Sequence, residues 1–224
     1  MEAFSDPAAV ARYAEGPPRL VPGFADLQRM ALLLLAESAG ESSRILVLGS
    51  GGGLELKVFA EAKPHWTFVG IDPSAEMNRL ALATLGPLAS RIELRDGYID
   101  AAPEGPYDGA TCLLTMHFMP REERRKTLSE IHRRLKPGAP LVVAHHSIPA
   151  GLHERDRWLS RYAAFAASSG IDPDKAAAGS AAIGSKLPIL SPEEDVELLG
   201  ESGFDGISLF YAGLTFRGWV AYRR

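Results

Sequence analysis

The chain has 224 residues, 46% of them hydrophobic, and a formal net charge of −4. That length suits one α/β domain with a sizeable core, and that charge excludes a global pull toward phosphate backbones. Cys112 is the single cysteine, so no internal disulfide forms, which fits a reducing compartment; inside its apolar run it reads as a small core residue.

In chain order, residues 1–23 are rich in Pro, Gly and Ala and read as an irregular arm. Phe24 to Ala39 reads as a helix with Leu27, Met30, Leu34 and Leu35 on one face, so residues 1–40 form an arm and helix at the start of a single domain, 1–224. Arg44 to Leu48 is the first strand and Leu54 to Ala62 a helix stopped by Pro64. Trp66 to Ile71 is the second strand, and Ser74 caps a helix to about Leu85. Arg91–Arg95 and Asp108–Leu114 are strands three and four. Pro120 opens a helix striped by Leu128, Ile131 and Leu135, and Pro140–His145 is strand five. Residues 151–187 break the rhythm with helical stretches Leu152–Ser168 and Pro173–Ile183, read as an inserted helical lid. Ser191-Pro192-Glu193-Glu194 is a capping-box start for a helix ending near Gly203. Ile207–Tyr211 and Leu214–Tyr222 close the chain as an antiparallel hairpin turning through Ala212-Gly213. The expected fold is α/β: a Rossmann-like parallel sheet with helices on both faces and a C-terminal antiparallel hairpin.

The chemistry concentrates at Ile45-Leu-Val-Leu-Gly-Ser-Gly-Gly-Gly53 and at Ile71-Asp72. A buried strand runs into a loop with almost no side chains, and a helix follows. Such a loop lets a ligand lie against backbone N–H groups at a helix N-terminus. An acid ending the next strand can accept hydrogen bonds from ribose hydroxyls. A dinucleotide site calls for Gly-x-Gly-x-x-Gly, but counted from Gly49 or Gly51 the third position is Leu54 or Leu56. Gly-x-Gly-x-Gly, as in Gly49 to Gly53, suffices for S-adenosylmethionine, which has no pyrophosphate.

Ile45–Gly53, Phe68–Met77, Leu94-Arg-Asp-Gly97, Tyr107-Asp108 and Leu135-Lys-Pro-Gly138 together resemble the class I S-adenosylmethionine-dependent methyltransferases. The resemblance implies that Gly49, Ser50, Gly51 and Gly53 lie at the cofactor's methionine portion and that Asp72 meets the ribose. It places Pro73 and Met77 near the adenine, Asp96 and Gly97 at its amino group, and Leu113 and Leu114 beside the sulfonium. Val21-Pro-Gly-Phe24 and Phe210 to Ala221 resemble the narrower carboxy-S-adenosylmethionine synthase-like group, which implies that Phe24 covers the cofactor. Two departures stand out. Ala182 occupies the place of that group's carboxylate-binding arginine, which favours methyl over carboxymethyl transfer. Val47 stands where many members carry an acid that anchors the methionine amino group; Glu55 is a substitute, read by its position at a helix start as facing solvent.

Ligands in such sheets bind beyond the carboxyl ends of the strands. His117, after strand four, and His146, ending strand five beside His145, are therefore candidate catalytic groups, either as base or as hydrogen-bond donor. Packed structural histidines are the equal alternative. Trp158 and Tyr162, with Arg161 and Phe165, recur at helical spacing and line an acceptor pocket in the lid reading or a core stripe otherwise. The mixed run Arg121–Lys126 reads as a solvated helix face. No metal-ligand spacing is present. The expected activity is methyl transfer from S-adenosylmethionine to a small-molecule acceptor. The open alternatives are tRNA-related methyl or carboxymethyl chemistry, a nicotinamide-dependent oxidoreductase, and a non-catalytic cofactor-binding or partner-activating module. No signal peptide and no membrane-spanning stretch are expected, so a cytoplasmic protein is, with monomer and dimer both open.

Overall fold

A computed structural model describes residues 13–224; the first part of the expected arm lies outside the described residues. Eight α-helices and seven strands follow in the described residues. They are α1 (Pro17–Leu20), α2 (Phe24–Ala36), β1 (Arg44–Leu48), α3 (Leu54–Ala62), β2 (Thr67–Asp72) and α4 (Ala75–Leu85). Then come β3 (Ile92–Asp96), β4 (Gly109–Leu113), α5 (Arg121–Arg134) and β5 (Pro140–His146). The chain closes with α6 (Leu152–Ser168), α7 (Pro173–Lys186), α8 (Pro192–Glu201), β6 (Phe204–Gly213) and β7 (Phe216–Arg223).

The sheet order is β3-β2-β1-β4-β5-β7-β6. Strands β1 to β5 are parallel, and β7 enters antiparallel between β5 and β6. Alternation along each strand sorts the core into two layers. Ile45, Val47, Phe68 and Val142 face α2, α3 and α4 through Leu35, Leu56 and Ala81. Leu46, Leu48, Val69 and Val143 face α5 and α8 through Leu128, Ile131 and Leu198. No helix among the described residues is long and apolar enough to cross a membrane.

The local signals act as expected at the caps. Ser74 accepts from the Met77 N–H, and Ser191 with Glu194 forms a full capping box. Trp66 does not belong to β2: its indole Nε1 donates to the Gly40 carbonyl at 3.0 Å, and its ring is buried before the strand begins. The closing hairpin is longer than expected. It turns through Leu214 and Thr215, not Ala212-Gly213, with Leu214 at φ 56°. The Ser147 N–H donates to the Thr215 carbonyl at 2.8 Å, which pins that turn to the end of β5. Helices α6 and α7 form an antiparallel pair tied by Ser180 Oγ to the Leu159 carbonyl at 2.7 Å.

Candidate active site

The loop after β1 is built by its glycines. Gly49 has φ +74°, and its N–H and that of Ser50 both donate to the Ile71 carbonyl, at 2.8 and 3.1 Å. The loop therefore folds down onto the end of β2. A Cβ on Gly49 would sit 2.0 Å from Thr115 Oγ1. We expect Gly49→Ala to cost about 1–3 kcal/mol through its left-handed backbone and to weaken cofactor binding as well. Thermal denaturation and ligand titration check it, and wild-type values in both would refute the steric account.

Asp72 joins the two strand ends. Its carboxylate accepts from the Gly51 N–H at 2.9 Å and the Ser74 N–H at 2.9 Å. Burial pushes the carboxyl above its ordinary range while those two N–H groups pull it back. A carboxylate offers about four lone-pair sites, so two backbone donors leave room for ribose hydroxyls. Beyond it, the Gly97 N–H donates to the Asp72 carbonyl at 3.0 Å, which places the end of β3 alongside.

These elements enclose a cavity of about 610 Å³. Phe24, Gly49, Ser50, Gly51, Asp72 and Pro73 line it, and so do Met77, Gly97, Leu113 and Leu114. Leu114 holds φ 58°, an unusual conformation for leucine that sets the loop after β4 against the cavity. Ser50 Oγ is buried without a partner. Bare backbone, an orphaned hydroxyl, a ribose-competent acid and an apolar slot from Pro73 and Met77 fit an adenosyl ligand.

Two of the expected cofactor residues are not in the wall. Gly53 turns its missing side chain toward Ala81, whose Cα would lie 3.0 Å from a Cβ there, so it serves the packing of α3 against α4. Asp96 is exposed and accepts from Asn78 Nδ2 at 2.7 Å, outside the cavity wall. The structure adds Tyr13, Gln28, Glu55, Tyr98, Phe118 and Met119 to the wall. Glu55 corrects the sequence reading: it is only 7% exposed, and Thr111 Oγ1 donates to its Oε1 at 2.7 Å. A residue so early in a helix looks solvent-facing until β4 is known to lie beneath it.

The expected catalytic histidines do not reach the cavity wall. His117 and His146 are buried, and the His146 N–H donates to His117 Nδ1 at 3.3 Å. The His146 ring stacks on Phe216 at 4.0 Å, and its Nδ1 lies 2.9 Å from Thr215 Oγ1. Strand β7 pairs alongside β5 in the sheet and sets Phe216 directly opposite His146, which is why residue type alone misleads here. Burial holds the His146 pKa down at about 3 and His117 well below its ordinary value. Both rings are neutral at pH 7. With the folded pKa lowered, the stability His146 contributes is full above pH 6.5 and is lost as pH falls toward about 3. We expect His146→Ala to lower stability by about 2 kcal/mol and to leave cofactor affinity unchanged. A large affinity loss in a folded variant would return it to the site. Trp158 and Tyr162 also lie off the cavity. Arg161 and Arg217 lie over the Trp158 ring at 4.5 and 5.3 Å, and Tyr162 packs edge-on against His146.

Comparison with known proteins agrees with this geometry. Residues 45–138 match a methyltransferase domain family. A carboxy-S-adenosyl-L-methionine synthase of Chromohalobacter salexigens is 26% identical over 222 residues, 97% of this chain and 82% of that one. Among solved structures, human N-acetylserotonin methyltransferase in complex with S-adenosylmethionine superposes with a TM-score of 0.67 at 14% identity, covering 98% of this chain and 57% of that one. This chain thus spans less than two thirds of the human enzyme. Magnesium protoporphyrin IX methyltransferase from Synechocystis, with bound S-adenosylhomocysteine, gives 0.62 at 17% identity, covering 88% and 82%. The expected fold, cofactor and enzyme class are borne out.

Proposed function

We propose that this chain, a class I S-adenosylmethionine-dependent methyltransferase related to the carboxy-S-adenosylmethionine synthases, methylates a small, uncharged and largely apolar molecule. The observation that carries this reading is the make-up of the cavity away from the glycine loop. Leu114, Phe118 and Met119 supply apolar surface there. The charges on the α5 side are largely offset: Glu130 is held by Arg133 and Arg134, and Glu123 is matched by Lys126, the one lysine or arginine in the wall among the described residues. A polyanionic strand or a carboxylated guest finds no surplus of positive charge in such a wall, whereas a neutral molecule needs none. Ala182, at the place of the related group's arginine, lies on α7 and contributes nothing to the wall.

When bound, the cofactor supplies a methyl group on a positively charged sulfur. The chain's own residues have two tasks. The loop from Gly49 to Gly51 and Asp72 hold the adenosyl portion, and Phe24, Leu113 and Leu114 keep water from the reacting region. Bringing a nucleophile into line in such a space is worth roughly 7–11 kcal/mol in favourable cases. No histidine lines the wall among the described residues, and Glu130 is tied to Arg133 and Arg134, so Glu123 is the candidate for taking a proton from the acceptor. The arm, through Tyr13 and Phe24, covers one side of the cavity; the lid role of α6 and α7 remains a proposal in which they close over the acceptor.

The test is incubation with S-adenosylmethionine and a panel of neutral phenols, quinols and amines, followed by mass spectrometry. Methylated acceptor with S-adenosylhomocysteine is the expected result. A carboxylated nucleoside formed from a carboxylic-acid co-substrate, with no methylated acceptor, would overturn the reading.

A further inference from the structure

Val47 and Thr111 are registered partners on β1 and β4, on the sheet face that α3 covers. Position 47 is apolar, yet a carboxyl group still lies over this part of the sheet. Glu55, in the first turn of α3, crosses to Thr111 and lines the cavity beside Gly51. Among the described residues no lysine, arginine or histidine pairs with it. A buried acid without a cation stays neutral unless a ligand brings the positive charge. The cofactor carries such a charge on its ammonium group.

We propose that Glu55 is the residue that receives the cofactor's ammonium group, and that it releases its proton to solvent as it does so, making cofactor binding by this chain proton-linked. The inference rests on the S-adenosylmethionine reading of the cavity. The ammonium keeps its three protons; the single proton lost is the carboxylic one, and the product is a buried ion pair. Burial pushes the Glu55 carboxyl up to about 8, against the Thr111 hydroxyl that lowers it, so the empty site holds a neutral acid at pH 7. The other ionisable groups around it do not supply the charge. Tyr13, from the arm, is pushed up to about 12 by burial and then by Glu55 and Asp72. The Cys112 thiol on β4 is pushed up by burial and then by Glu55. Asp72 is an acid itself, Lys57 and Glu61 on α3 are exposed and pair with each other, and Glu123, Lys126 and Glu130 belong to the α5 side of the cavity.

The experiment is calorimetric titration at pH 7 in buffers of different ionisation enthalpy. S-adenosylhomocysteine supplies the ammonium, and 5′-methylthioadenosine, which lacks the amino-acid portion, reports the adenosyl site alone. The wild type is expected to release close to one proton per S-adenosylhomocysteine and none with 5′-methylthioadenosine. Its affinity for the first ligand should rise by about tenfold per pH unit below the Glu55 pKa and flatten above it. Glu55→Gln, which keeps the Thr111 hydrogen bond, should release no proton, lose about tenfold or more in affinity for S-adenosylhomocysteine, and bind 5′-methylthioadenosine as the wild type does. The empty protein gives a second readout. With the folded pKa raised, stability from the neutral acid is full below about pH 4.5 and is lost as pH rises through about 8. The wild-type Tm should therefore fall between pH 5 and 8, and Glu55→Gln should remove that fall. S-adenosylhomocysteine binding without proton release, or at wild-type affinity in Glu55→Gln, would overturn the inference. So would a variant that binds neither ligand. Failure of the wild type itself to bind either ligand would instead overturn the cofactor reading beneath it.

Discussion

Replacing Asp72 with alanine is expected to cut affinity for S-adenosylhomocysteine by about a hundredfold, since two hydrogen bonds to a charged acceptor are worth about 1.5–3 kcal/mol each and are not fully additive. The side chain has two tasks, which the experiment must separate. It fastens the glycine loop through the Gly51 N–H, and it caps the turn to α4 through the Ser74 N–H. Asp72→Asn keeps one carbonyl oxygen for a backbone donor and removes the charge, so it should retain more fold stability than alanine while still losing most of the affinity. Titration of both variants alongside their Tm values checks this. Wild-type affinity in either variant would remove the ribose role from Asp72.

Arg124→Ala is expected to destabilise the fold by about 3–5 kcal/mol, the range for breaking a buried ion pair from one side. The guanidinium is fully buried, and every arm of it is engaged. Nε donates to the Met119 carbonyl at 2.9 Å, Nη1 to Asp195 Oδ1 at 2.9 Å and Nη2 to the Pro188 carbonyl at 2.7 Å. Asp195 also lies 3.1 Å from His145 Nε2. Burial alone would push the Asp195 carboxyl up, but His145 and Arg124 bring it below its ordinary range. That part of the stability is present above pH 3.8 and is lost in stronger acid. Removing the arginine leaves the buried carboxylate without its permanently charged partner and leaves two orphaned carbonyls. Replacing both partners, Arg124→Met with Asp195→Leu, should restore much of the loss, because the desolvation cost disappears with the charges. Denaturant unfolding of the single and double variants decides it. A single variant within about 1 kcal/mol of the wild type would show the cluster to be structurally idle.

The fold was legible where local chemistry decides it. The apolar run before Gly49, the cap at Ser74 and the capping box at Ser191 each settle an element with information contained in a few residues. The cofactor loop was legible for the same reason: backbone that must approach a ligand admits only glycine at Gly49. What was hidden depends on partners distant in the chain. Glu55 is buried because Thr111, on another strand, rises to meet it. His146 is sealed because β7 returns from the end of the chain and lays Phe216 and Thr215 against it. Gly53 and Asp96 match the expected pattern in type and spacing, but the packing of α4 decides their surroundings: Ala81 fills the space beside Gly53, and Asn78 takes the Asp96 carboxylate.

The place of β7 has a consequence for biosynthesis. Seven of its residues, Phe216 to Tyr222, pair with β5, while β6, made earlier, can reach the sheet only through β7. A nascent chain that has emerged only as far as α8 therefore carries β5 with one open edge, ready to join a neighbouring polypeptide on a crowded ribosome. Slower emergence of β7 from the ribosome should lower the soluble yield.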